Sequence, residues 1–239
     1  MPTESRGDPR NEHCFSRRFS MHARLVALII FSAGLLGWPT GLPAETPSDS
    51  ASQSAASAEK TRTAVFAGGC FWCTELVFRQ LKGVVNVESG YCGGTKATAN
   101  YEKVHHGTTK HAEAVRVTYN PTKIRYDQLL DVFFDAHDPT QWNRQGEEDV
   151  GRQYRSAIFF ANDEQKAEAE TKIRQLQQKK VYRRRIVTRL EPLEAFYPAE
   201  EHHQGFALKF PGVPYIQEHA VPKACDVRIK HPELIESQR

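Results

Sequence analysis

Two adjacent glycines, Gly68 and Gly69, separate segments of different periodicity, and no other feature constrains the fold as much. Thr61 to Ala67 (TRTAVFA) has the apolar character of a short strand. Beyond the glycines, Phe71, Thr74, Phe78 and Leu81 recur at helical spacing, and Lys82-Gly83 supplies a stop. The chain therefore turns sharply from strand to helix, and Cys70 falls at the helix N-terminus. Cys73 follows one helical turn later, within GGCFWCTE. Two thiols so spaced form a redox pair, half of a zinc site or a structural disulfide.

The remaining elements are read in the same way. Val84–Tyr91 and Ala112–Tyr119 are predicted strands, the second with clean alternation ended by Asn120-Pro121. Tyr126–Ala136 is predicted to be a buried helix, closed by His137-Asp138-Pro139. Ser156–Phe160 is a further strand, and Asn162-Asp163-Glu164-Gln165 caps a helix that runs to about Lys180. Ile186–Leu190 reads as a strand and EEHHQGFALKF as a last short helix, with an irregular tail from Pro211. Helices alternating with strands imply an α+β fold: a two-layer, ferredoxin-like sandwich with a mainly antiparallel sheet.

The N-terminal quarter lies outside this pattern. Leu25 to Trp38 (LVALIIFSAGLLGW) has the length of a signal-peptide core, shorter than the ~20 residues that span a bilayer. Arg17, Arg18 and Arg24 precede it, and Leu42-Pro43-Ala44 provides small-residue cleavage chemistry. Residues 1–44 are thus expected to be an export signal, with Met21 as an alternative start, and the product exported to the periplasm or signal-anchored. Residues 45–60 (ETPSDSASQSAASAEK) lack apolar periodicity and read as a disordered linker, leaving 61–239 as a single remaining domain. The net charge of +3 is slight, and Arg183-Arg184-Arg185 is a solvated run without interleaved aromatics, so nucleic acid is not an expected partner.

Three features carry chemistry. A helix N-terminus stabilises a thiolate, so the position of Cys70 predicts a lowered thiol pKa and a nucleophile. In HAEAVRVTY, alternation puts Glu113 on the face of Val115, Val117 and Tyr119. If that face is buried, desolvation keeps the Glu113 carboxyl protonated, as a general acid requires. The long polar loop Asp138–Ser156 carries a tryptophan, a tyrosine and many hydrogen-bonding side chains, the composition of a functional loop.

GGCFWCTE, GYCGG (Gly90–Gly94), NYEKV (Asn100–Val104), HAEAVRVTYNP, DPTQWNRQGEEDVGRQYRSAIF and AEEHHQGF, taken in order, resemble peptide methionine sulfoxide reductase A. The resemblance spans about Val65 to Phe206. It implies that Cys70 attacks the sulfoxide sulfur, that Phe71 and Trp72 pack around the substrate methyl group and that Glu113 protonates the oxygen. It further implies hydrogen bonds to that oxygen from Tyr101 and Tyr154, and places for Asp149 and His203 near the site. Attack by Cys70 leaves methionine and a cysteine sulfenic acid, which a second thiol converts to a disulfide. The family's S-epimer specificity, monomeric state and recycling by thioredoxin or another dithiol, with no bound cofactor, are carried over as expectations.

The resolving thiol is open at this level. Cys73 is favoured by its CxxC spacing, with Cys225 and Cys92 as alternatives; Cys225 sits in the tail, but VPKACDVRI lacks the glycines of a swinging segment. Three other classes compete, one of them a non-enzymatic binding domain of this fold with a dead site. A thioredoxin-like disulfide oxidoreductase would not need Glu113 or the tyrosine-bearing loop. A zinc module has no second CxxC or HxxxH to complete four ligands.

Overall fold

The computed structural model describes residues 61–236. The expected export signal and linker lie outside the described residues. Among those described, no helix is long and apolar enough to cross a membrane.

In chain order the elements begin with β1 (Arg62–Gly68), α1 (Phe71–Arg79), β2 (Val84–Cys92), α2 (Tyr101–His105), β3 (Ala112–Tyr119) and α3 (Tyr126–Ala136). A small hairpin follows, β4 (Arg144–Gln145) and β5 (Asp149–Val150), and then β6 (Ser156–Phe160) and α4 (Asp163–Gln178). The chain ends with β7 (Arg189–Pro192), β8 (Phe196–Pro198), α5 (Phe206–Lys209) and α6 (Val221–Lys230).

The main sheet runs β7-β6-β1-β3-β2-β8, with every pair antiparallel except β6 and β7. Its inner four strands and the helices α1 and α3 form the βαββαβ pattern of a ferredoxin-like sandwich, as the sequence implies. Phe66 projects from β1 toward the helices, its ring 5.1 Å from both Phe78 of α1 and Phe133 of α3. Val65 and Ala67 project the other way, into a back-face cluster with Cys92, Ala112, Ala114, Ala157 and Phe159, covered by Leu193 and Phe196. Both faces of the central strands are therefore dry, which is why β1 turns fully buried from Ala64 onward.

The glycine turn is required by space as well as by backbone. Gly69 has φ +95°, and a Cβ there would come within 2.6 Å of Gln145 Cγ. Gln145 in turn grips Asp138, accepting from its N–H at 3.0 Å and donating to its carbonyl at 2.8 Å. A side chain at 69 would push away the hairpin that, as shown below, completes the site.

Several expectations need correction. The strand expected at Ile186–Leu190 starts later, at Arg189; Ile186 is buried but Val187 spends its N–H on Pro139 instead of on the sheet. The helix expected across EEHHQGFALKF breaks at Gly205 (φ +64°) into a 3-10 turn, Glu201–His203, and α5. The tail, described to residue 236, carries a π-turn at Ile216–Ala220 that leads into α6, with Pro222 in its first turn. Four further elements were not anticipated: α2, the hairpin strands β4 and β5 within the polar loop, and β8.

Candidate active site

A cavity of about 210 Å³ opens at the N-terminus of α1, lined by Cys70, Phe71, Trp72, Tyr101, Glu113, Asp149 and Tyr154, with His105, Glu148 and Tyr215. Each expected catalytic residue arrives by a different route. The glycine turn delivers Cys70. The period-two alternation of β3 delivers Glu113, opposite Tyr91 in the register and 2% exposed. The helix α2, capped by the Asn100 side chain accepting from Lys103 N, delivers Tyr101. The hairpin β4–β5 and the 3-10 turn Arg152–Tyr154 deliver Asp149 and Tyr154.

The first backbone N–H of α1, on Phe71, donates to Glu113 Oε2 at 3.0 Å. Burial pushes the Glu113 carboxyl well above the usual range, and the neighbouring Cys70 adds to the effect. The acid is thus held protonated at the base of the cavity, on the buried face that alternation selected.

Cys70 departs from expectation. Its thiol is pushed up, first by burial, then by a hydrogen bond to Cys73 and by the negative potential of Cys73 and Asp149. The helix N-terminus that was expected to lower it is already engaged, since the Phe71 N–H is given to Glu113. Cys73 moves the opposite way, lowered above all by accepting the Cys70 hydrogen bond and helped by Lys223.

The aromatic wall is continuous. Phe71 and Trp72 lie 6.1 Å apart, and His203 packs 5.4 Å from Phe71, 5.7 Å from Trp72 and 4.4 Å from Tyr101. Burial lowers the His203 pKa and keeps the ring neutral, and both ring nitrogens lack partners among the described residues. His203 is behind the wall rather than on the cavity surface.

The structure adds residues that the sequence did not reveal. The Tyr215 hydroxyl donates to both Asp149 oxygens (2.9 and 2.8 Å) and sits 4.0 Å from Cys73 Sγ. His105 stacks on Tyr101 at 5.1 Å, and its Nδ1 lies 3.3 Å from the Tyr154 hydroxyl. Glu200 accepts from Tyr101 N–H at 2.9 Å and from the Tyr91 hydroxyl at 2.8 Å, fixing the start of α2. Buried Glu75 accepts from Arg79, Ser89 and Gly205 N–H, joining α1 to β2 and to the chain entering α5. A local signal existed only for α2, where Asn100 followed by Glu102 is an N-cap with an acid in the first turn. Trp142 does not join the site: it is 61% exposed, under the Arg189 guanidinium.

The other cysteines separate clearly. Cys92 follows Tyr91 in β2 and therefore points to the opposite face of the sheet from Glu113, into the back cluster, with its thiol donating to Ala195 O at 3.0 Å. Burial holds its pKa up at about 12. Cys225 is buried within α6 instead of lying on a loose tail. Among the described residues, the one group of metal-ligating side chains with ligand atoms within 4.8 Å of one another is Glu148, Glu218 and His219. It excludes both thiols of the CxxC pair.

A nucleophile-bearing helix start, a buried acid 3.0 Å from its first amide and an adjacent second thiol define a cysteine-based oxidoreductase with its own proton donor. The family profile for peptide methionine sulfoxide reductase matches residues 62–233. The chain is 46% identical over 182 residues to peptide methionine sulfoxide reductase MsrA 2 of Synechocystis, covering 76% of this chain and 85% of that one. It is 51% identical over 165 residues to MsrA of Deinococcus radiodurans, covering 69% and 80%. Among solved structures, Mxr1 of Saccharomyces cerevisiae in reduced form aligns with TM-score 0.62 and 36% identity over 67% of this chain and 91% of that one. Methionine sulfoxide reductase A of Corynebacterium diphtheriae aligns with TM-score 0.57 and 34% identity, over 65% and 78%. The chain belongs to the peptide methionine sulfoxide reductase A family.

Proposed function

We propose that the protein reduces the S-sulfoxide of methionine, free or within proteins, with Cys70 as nucleophile and Glu113 as acid. The observation that carries this reading is the buried Glu113 carboxyl, its pKa pushed up by desolvation, within reach of the same helix start that presents Cys70. A sulfoxide oxygen becomes a competent leaving group only when protonated, so an acid beside the thiol is what distinguishes this chemistry from disulfide exchange.

The first step moves one oxygen from the substrate sulfur to Cys70 Sγ. The sulfoxide sulfur gains the two electrons that Cys70 loses, giving methionine and Cys70 sulfenic acid. Glu113 lends a proton to the oxygen and recovers one from the thiol. Because burial holds Cys70 protonated at rest, its deprotonation accompanies attack instead of preceding it. Tyr101 and Tyr154 line the cavity as hydroxyl donors for the oxygen, while Phe71 and Trp72, backed by His203, enclose the methyl group. Asp149, held by the Tyr215 hydroxyl, lines the cavity with Cys70.

In the second step Cys73 thiol attacks the sulfenic sulfur, forming the Cys70–Cys73 disulfide and releasing water. The CxxC spacing, one helical turn, supports Cys73 as resolver, and the placement of Cys92 across the sheet argues against that alternative. A thioredoxin-like dithiol restores the pair.

Assays of the separate S and R epimers with dithiothreitol test the activity. Turnover of the S epimer alone is expected; no reduction of either would return the site to disulfide exchange. The apolar run Leu25–Trp38 supports export, with an extracytoplasmic reductant; a monomer is the state that the family resemblance implies. N-terminal sequencing of the exported product is expected to begin near Glu45, whereas a retained Leu25–Trp38 segment would mean a membrane anchor.

A further inference from the structure

We propose that the aromatic ridge Trp72–Phe206–Phe210, leading out of the cavity, docks the polypeptide flanking an oxidised methionine and favours apolar neighbours. This deepens the reductase reading and rests on it. The cavity, at about 210 Å³, is smaller than the roughly 300–1,000 Å³ of pockets that enclose a whole ligand. It accommodates a single side chain, so the residues on either side of the methionine must lie on the rim.

The rim is not uniform. Trp72 lines the cavity and stacks on Phe206, with ring centroids 4.0 Å apart and planes 12° apart. Phe206 lies 5.0 Å from Phe210, which is 50% exposed. The two phenylalanines are one helical turn apart, held by the Phe210 N–H donating to Phe206 O at 2.9 Å. Val150, the residue after cavity-lining Asp149, is 55% exposed. Isolated exposed apolar side chains are ordinary, but here they continue a wall that begins inside the cavity.

The spacing suits an extended chain. Such a chain advances ~3.3 Å per residue and returns a side chain to the same side every second residue. With the methionine sulfoxide against Trp72, the side chain two positions away reaches Phe210. The occupant follows from chemistry, because methionine is an apolar residue that sits among apolar neighbours in cores and interfaces. An oxidised methionine that becomes accessible brings those neighbours with it.

The test compares acetylated pentapeptides with a central methionine S-sulfoxide flanked by leucines or by serines, read as the ratio of their kcat/KM values. Wild type is expected to favour the leucine peptide about fivefold, through KM, the size of one aromatic contact. Phe210→Ser should bring the ratio close to one, Phe210→Leu should retain most of it, and Val85→Ser, at a distant exposed valine, should leave it unchanged. A wild-type ratio of one, or a ratio untouched by Phe210→Ser, would overturn the proposal. So would a Phe210→Ser enzyme impaired only in recycling by thioredoxin, which would assign the ridge to the reductant, or one impaired only in self-association. Failure of wild type on both peptides and on free methionine S-sulfoxide would remove the reductase reading itself, a different result from activity without preference.

Discussion

Glu113→Gln is expected to lower kcat for methionine S-sulfoxide by roughly 10²–10⁴-fold, the range that a positioned proton donor contributes. Glutamine keeps the shape and can still accept from Phe71 N–H, so the fold and the cavity should survive while the transferable proton is lost. The pH dependence separates this from a structural defect. Glu113 has its folded pKa raised above the unfolded value, so the native state binds the extra proton between the two. Activity that needs the protonated acid should therefore fall as pH rises through the folded pKa, and this alkaline loss should vanish in the residual activity of Glu113→Gln. Stability has the same sign: the contribution is fully present below the unfolded pKa and is lost as pH rises through the folded one. Denaturant unfolding should show wild type losing stability on the alkaline side relative to Glu113→Gln. Equal kcat values for the two enzymes would remove Glu113 from the chemistry.

Cys73→Ser is expected to divide the cycle. The variant should form close to one equivalent of methionine per enzyme in a single burst, then stall with thioredoxin as donor, with steady-state turnover at least about 100-fold below wild type. The physical basis is proximity: an adjacent thiol reacts with the sulfenic acid at an effective concentration that no external thiol reaches. A small thiol such as dithiothreitol, able to enter the cavity, should restore part of the turnover. Unimpaired recycling of Cys73→Ser by thioredoxin would exclude Cys73 as resolver and turn attention to Cys225, which would have to leave its buried position in α6.

How far the sequence could be read depended on whether the signal was local. Ala112–Tyr119 and Tyr126–Ala136 form at their expected bounds because clean alternation and a dense apolar helix face specify them without help. The same alternation located Glu113. Asn162 caps α4 through Gln165 N–H, another local device. Residues placed by long-range packing were invisible: Tyr215 reaches Asp149 across 66 positions, and Glu75 reaches Gly205 across 130. The thiol of Cys70 went the other way from expectation for a related reason. A helix N-terminus stabilises a thiolate only while its amides are free and water is near, and neither condition shows in the sequence. The irregular tail was misread because its helix is short and weakly amphipathic, held by packing on α1 and α3.

The most direct test of the central claim is the chemical state of Cys70 after one turnover. The Cys73→Ser enzyme would be mixed with one equivalent of methionine S-sulfoxide without reductant, trapped with a sulfenic-acid probe, and mapped by peptide mass spectrometry. The account predicts probe on Cys70 in proportion to the methionine formed, and none with the R epimer. Methionine produced with Cys70 unmodified, or probe on another cysteine, would contradict it.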